Sequence, residues 1–288
     1  MQETKVAVRV ASVEDAVVCG KICYDAFFAI SQRHGFPCDL PGVEHATGLL
    51  SMMFASPDFY CLVAEVGGRV AGSNCLDERS VITGVGPITI DLDVQNIGVG
   101  RKLMQIAMDR ASERGAVGVR LVQAAFHNRS LSLYAGMGFE IREPLACMQG
   151  RVQGWYGSGC GVRVARAEDL EACNAVSRRV HGFERGKELA QGIEGGTARV
   201  VERGGSITGY SSHLAFFGHS TAETNADLQA LIVSADSFAG PGILIPTRNG
   251  GLFRWCLANG LRVVQPMTLM STGLYNEPAG AWMPSVLF

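Results

Sequence analysis

The spacing of apolar positions changes along this chain, and each change marks an element. Residues 87–94, Pro87-Ile88-Thr89-Ile90-Asp91-Leu92-Asp93-Val94, are mostly apolar and predict a strand. Gln95-Asn96-Ile97-Gly98-Val99-Gly100 follows it, and then Leu103, Ala107 and Ala111 recur at every fourth position until Gly115. That spacing predicts a helix with one buried face and a glycine stop. Val117-Gly118-Val119-Arg120-Leu121-Val122 predicts the next strand, Leu131-Ser132-Leu133-Tyr134 a short helix, and Gly136-Met137-Gly138-Phe139 its end. The glycines between the first strand and its helix permit a tight turn. A helix opening there has first amides without intrahelical partners and a positive dipole end. Strand, glycine turn and helix together make a phosphate cradle.

The pattern then repeats. Val8-Arg9-Val10-Ala11-Ser12-Val13-Glu14-Asp15 returns as Val162-Arg163-Val164-Ala165-Arg166-Ala167-Glu168-Asp169, identical at six of eight positions. His34-Gly35-Phe36 returns as His181-Gly182-Phe183. The hairpin glycines Gly67-Gly68, with Gly72 beyond, return as Gly204-Gly205 and Gly209. Late in each half a strand leads to an Asn and a short apolar helix, with Asn249 and residues 252–257 in the second. Blocks in the same order predict a tandem duplication, with domains at 1–148 and 161–288 and a glycine-rich linker at 149–160. The second copy is shorter where the chemistry should lie: 39 residues separate Gly209 from Asn249, against 54 from Gly72 to His127. No Gln-x-x-Gly-x-Gly follows Gly209, and Cys256 stands where the first copy has Tyr134.

Composition narrows the class without choosing the chemistry. A net charge of −2 with no block of like charges argues against nucleic acid and anionic membranes as partners. No apolar run reaches the ~20 residues of a membrane span. The first thirty residues, with Glu3, Glu14, Asp15 and Asp25, lack a signal-peptide pattern. Nine scattered cysteines suit free thiols in a reducing compartment, so a cytoplasmic protein is expected. Cys19 and Cys23 are one helical turn apart but lack partners at ligand spacing, so no metal is expected.

The glycine turn is neither G-x-G-x-x-G nor G-x-x-x-x-G-K-[ST], which sets aside dinucleotide and P-loop sites. Gln95-x-x-Gly98-x-Gly100 between a strand and a helix resembles the pyrophosphate loop of the GNAT acyltransferases. The later Leu133-Tyr134 and Gly138-Phe139 resemble that family's short helix and its end. The joint resemblance covers roughly residues 60–145. It implies an α/β (α+β) fold of two tandem GNAT-like domains, each a mixed, mostly antiparallel sheet flanked by helices. The second would be a degenerate copy without a cofactor loop, walling off an acceptor pocket or forming a homodimer interface. The tail residues Trp282 and Phe288 would help close the site.

By the same resemblance, acetyl-CoA would be the acyl donor. Its arm would lie along the fourth strand near Leu92, Asp93 and Val94, and its pyrophosphate would sit in the loop that Gln95 opens, on the amides of Asn96, Ile97, Gly98, Val99, Gly100 and Arg101. Arg101, Lys102 and Arg129 are candidates for the outer phosphate. The family's usual Asn before the short helix is replaced by His127, with Asn128 next, and either could contact the arm. The reaction implied is direct attack by a primary amine of a small molecule or amino acid in a ternary complex, with Tyr134 protonating the departing thiolate. Glu78, in the charged Asp77-Glu78-Arg79 triplet, is the preferred base. His34 is a second candidate, with Phe36 and Asp77 at the acceptor site. A non-enzymatic acyl-CoA sensor or assembly module is the alternative; it would have no use for an acid at Tyr134.

Overall fold

The structure is a computed structural model that describes residues 6–153 and 159–288. Residues 154–158 of the expected linker lie outside the described residues. The chain forms two compact units. One comprises the chain up to Leu121, His127–Gly138 and Leu287; the other comprises Val122–Phe126, Phe139–Val286 and Phe288.

The first unit runs β1 (Val6–Val10), α1 (Ala16–His34), α2 (Val43–Ala55), β2 (Phe59–Val66), β3 (Arg69–Asp77), β4 (Ile82–Ile90), α3 (Val99–Glu113), β5 (Gly118–Ala124) and α4 (Asn128–Ala135). Its strands lie in the order β1-β2-β3-β4-β5, antiparallel except for β4 with β5. The four-residue stripe of α3 is core as expected: Val99, Leu103 and Ala107 pack with Leu62 and Ala64 of β2. At Gly72 β3 approaches β4 closely, since a Cβ there would fall 2.3 Å from the Thr89 carbonyl oxygen.

In the second unit β6 (Glu140–Gln149) is followed by β7 (Cys160–Val164), α5 (Leu170–His181), α6 (Gly186–Glu194), β8 (Arg199–Arg203), β9 (Ser206–Ser211) and β10 (Ser220–Ala222). Then come α7 (Asn225–Val233), β11 (Ile243–Pro246), α8 (Gly250–Ala258), β12 (Arg262–Gly273) and β13 (Ala281–Met283). One sheet has the order β13-β10-β9-β8-β7, and β6 pairs with both β12 and β11. The expected range 1–148 puts β6 in the first domain, whereas its pairing puts it in the second unit.

The repeat is visible in single side chains. Arg9 holds Asp15 with two hydrogen bonds of 2.7 Å and donates through Nε to Glu65 at 2.8 Å. Arg163 holds Asp169 and Glu202 in the same way. Asp15 also accepts from the Ser12 amide, and Asp169 from the Arg166 amide, so each Asp fastens the entry to the long helix. The Arg9 guanidinium is the largest cause holding the Asp15 carboxyl down at about 2. His34-Gly35-Phe36 is a helix stop: Gly35 is left-handed (φ 71°), and the Phe36 amide donates back to the Ser31 carbonyl. Gly182 ends α5 at φ 82°.

Among the described residues no helix is long and apolar enough to cross a membrane, and no three His, Cys, Asp or Glu side chains converge as metal ligands. Cys19 and Cys23 are buried free thiols.

Candidate active site

The fourth strand is where the first sheet parts. β4 pairs with β5 only over Ile82–Gly84, against Gly118–Arg120, while its pairing with β3 continues to Ile90. From Val85 to Ile90 one edge of β4 therefore has no partner from β5. Pro87 lacks an N–H, so any donors from this stretch come from its other amides.

The strand ends sooner than its apolar pattern suggests. Leu92–Val94 form a 3-10 turn, because the Asp91 side chain accepts from the Asp93 amide and the Asp91 carbonyl from the Val94 amide. Leu92 and Asp93 are exposed on this turn instead of lining a strand edge. The open strand edge therefore lies at Val85–Ile90, ahead of the expected Leu92, Asp93 and Val94.

The glycine loop follows. Asn96 (φ 70°) and Gly98 (φ 92°) both adopt the left-handed region, and α3 starts at Val99. The first hydrogen bond of the helix runs from the Lys102 amide to the Gly98 carbonyl at 3.0 Å, so the amides of Val99, Gly100 and Arg101 precede the helical ladder. Left-handed residues spaced in this way ahead of a helix suit an anion nest, in which successive amides point at one ligand. A Cβ on Gly98 would have nothing within 4 Å, so the loop is open on that side. Gly100 lies against Ile90 and Leu133, joining β4, α3 and α4.

Arg129 braces the loop. Its guanidinium donates to Gln95 Oε1 at 2.8 Å and to Asn96 Oδ1 at 2.7 Å, while Gln95 Nε2 donates to the Ile90 carbonyl. The Gln of the motif thus ties the strand end to α4 and leaves the backbone amides for a ligand. Lys102 is turned to β1, donating to the Val6 carbonyl at 2.7 Å. Arg101 is exposed and reaches toward Gly136 at the end of α4.

Asn128 opens α4 and is exposed, and His127 precedes it as the N-cap residue, half-buried. Burial, with Arg129 and then His34 as further causes, pushes the His127 imidazole down to about 4, so it is neutral at pH 7. His34 thus lies within electrostatic reach of His127. Tyr134 is 6% exposed; burial raises its hydroxyl to about 12, with a Ser130 side-chain hydrogen bond acting the other way. Neither burial nor the Ser130 partner is legible in the motif.

Glu78, the expected base, is held in ion pairs. Its oxygens take Arg110 Nε at 2.8 Å, Arg110 Nη2 at 3.2 Å and Arg114 Nη1 at 3.4 Å, and the carboxylate is buried. Asp77 is held by Arg79, which also lies over the Phe59 ring. The charged triplet closes the end of β3 with ion pairs. His34 is exposed at the end of α1, and Phe36 is half-buried beyond it.

The sequence model of the Acetyltransferase (GNAT) family matches residues 27–139. No curated protein matches the sequence. Among solved structures, a provisionally assigned acetyltransferase from Pyrococcus horikoshii is 16% identical, with a TM-score of 0.73 over 98% of this chain and 95% of that one. A GCN5-related N-acetyltransferase from Sphaerobacter thermophilus is 14% identical, with a TM-score of 0.63 over 94% and 96%. A tandem GNAT protein from the clavulanic acid biosynthesis pathway is 13% identical, with a TM-score of 0.57 over 93% and 98%. At these identities the likeness is one of fold, and it extends over both repeats.

Proposed function

The chain carries an acetyltransferase (GNAT) domain, and from that premise we propose that its first unit transfers an acetyl group from acetyl-CoA to the primary amine of a small molecule or amino acid. One observation carries the reading: the edge of β4 that β5 leaves runs toward a nest at Asn96 and Gly98, with Tyr134 on the helix braced against that loop. An extended amide-bearing arm suits the strand edge, and a pyrophosphate suits the nest.

In the proposed step the neutral amine attacks the thioester carbonyl carbon while the acceptor and acetyl-CoA are bound together. A backbone N–H of β4 steadies the oxyanion, the C–S bond breaks, and the thiolate takes the Tyr134 proton. A hydroxyl raised to about 12 remains a proton donor throughout the neutral range. The amine's surplus proton goes to water or to His34, since Glu78 is occupied by Arg110 and Arg114. Arg101 would meet the outer phosphate. Arg129 contributes mainly by holding Gln95 and Asn96 in place.

The test is release of CoA thiol from acetyl-CoA against a panel of primary amines, amino acids and polyamines. At least one class should give turnover well above hydrolysis. Tight acetyl-CoA binding with no thiol release for any amine would overturn the enzyme reading and favour an acyl-CoA sensor.

A further inference from the structure

The second unit contains a counterpart of the parted strand, and the chain's own end fills it. In β3 and β4, Gly72 faces Ile90, Ser73 faces Thr89 and Asn74 faces Ile88. In β9 and β10, Gly209 faces Ala222, Tyr210 faces Thr221 and Ser211 faces Ser220. With Gly72 and Gly209 matched, β10 is the equivalent of Ile88–Ile90, the stretch whose far edge lacks a partner from β5. On β10 that edge is taken by β13 in antiparallel pairing: Met283 opposite Ser220, Trp282 opposite Thr221, Ala281 opposite Ala222. β13 also packs on β11, the equivalent of β5. It sits between β10 and β11, the equivalents of the two strands that part in the first unit.

The approach is close. A Cβ on Gly280 would fall 2.5 Å from the Ala222 carbonyl oxygen and 2.9 Å from Val180 Cγ2, and the Ala279 amide donates to the Val180 carbonyl at 2.8 Å. Trp282 meets His181 edge-on at 5.6 Å, and Phe288 stacks on Phe183 at 6.1 Å with the Arg185 guanidinium over its ring. His181 and Phe183 are the repeat equivalents of His34 and Phe36. One tail thus meets the counterparts of both the strand edge and the acceptor-side loop.

We propose that residues 278–286, with Phe288, are a tethered internal occupant of the second unit's cofactor cleft, and that the ligand they exclude is a pantetheine-type arm. This rests on the proposed reading of β4 as the cofactor strand. Without a glycine nest the second cleft has no grip on phosphate, so any affinity it has must come from the strand edge alone. Loss of the loop and filling of the edge would then be two parts of one specialisation.

The test uses the full chain with Gly280→Val, which drives the tail from β10, and separately Trp282→Ala, which removes the ring without a backbone clash. Hydrogen exchange at residues 281–283 should quicken by at least about tenfold in the variants. Acetyl-CoA stoichiometry should rise from one to two per chain. At the new site S-acetylpantetheine should bind within about threefold of acetyl-CoA, because the phosphates find no partner there. First-unit turnover should stay at the parent rate. One site per chain in a variant whose residues 281–283 are exposed would overturn the proposal. So would unfolding of both variants, because an occupant of a preformed cleft is dispensable to the fold, or a tail that stays protected in both. If the intact chain binds no acetyl-CoA at all, the functional reading fails; if the intact chain binds one and neither variant gains a second, only this inference fails.

Discussion

Tyr134 and Glu78 are both buried and differ in their partners: Tyr134 has the Ser130 side chain, Glu78 the guanidinium groups of Arg110 and Arg114. Tyr134 is enclosed with its proton retained, so Tyr134→Phe should lower turnover by roughly 10²–10⁴-fold, the usual contribution of a general acid. Acetyl-CoA affinity should change little, since the ring still packs; Ser132, whose hydroxyl bonds the Asn128 carbonyl, provides the Ala control. With the hydroxyl at about 12, activity should show no alkaline loss from this group below about pH 11. Glu78→Gln should leave the pH profile of turnover unchanged and cost roughly 1–2 kcal/mol in denaturant unfolding, because it discharges one side of a buried, partly screened ion pair. A changed profile with unchanged stability would restore Glu78 as the base. His127 is lowered to about 4 from its ordinary 6.5, so the folded state resists its protonation. Its contribution to stability is complete above pH 6.5 and is lost as pH falls toward 4. An NMR titration of the imidazole should give a midpoint near 4, and a midpoint at 6.5 or above would contradict the observed packing.

The features legible in the sequence at the scale of elements are those fixed by neighbours in the chain. The α3 stripe of Leu103, Ala107 and Ala111, the Gly67-Gly68 hairpin and the Gly98 turn depend on local spacing and backbone freedom, and each forms where its residues predict. The misread segment is also local: Asp91 diverts residues 92–94 into a turn by a side-chain bond that competes with the strand. Gly98→Val should expose the difference between a nest and a plain connection. At φ 92° a β-branched residue costs about 1–2 kcal/mol, yet its Cβ would meet no protein atom within 4 Å. The protein should therefore fold while acetyl-CoA binding is lost; retained affinity would reduce the loop to a βα connection.

Long-range pairing sets the organisation of the whole molecule, and the sequence is least explicit there. β6 follows α4 directly in the chain yet pairs with β11 and β12, and Trp282 and Phe288, expected to close the acceptor site, are packed in the second unit. Local spacing cannot reveal either pairing. The duplication itself was legible because the block with Arg9 and Asp15 recurs with Arg163 and Asp169, whose ion pairs match in the structure. The two halves share a frame, and the proposal is that only one of them keeps a working cofactor site. Calorimetric titration of the intact chain with acetyl-CoA tests that claim most directly. One site per chain, abolished by Gly98→Val, is the predicted result; two equivalent sites, or one site indifferent to Gly98→Val, would contradict it.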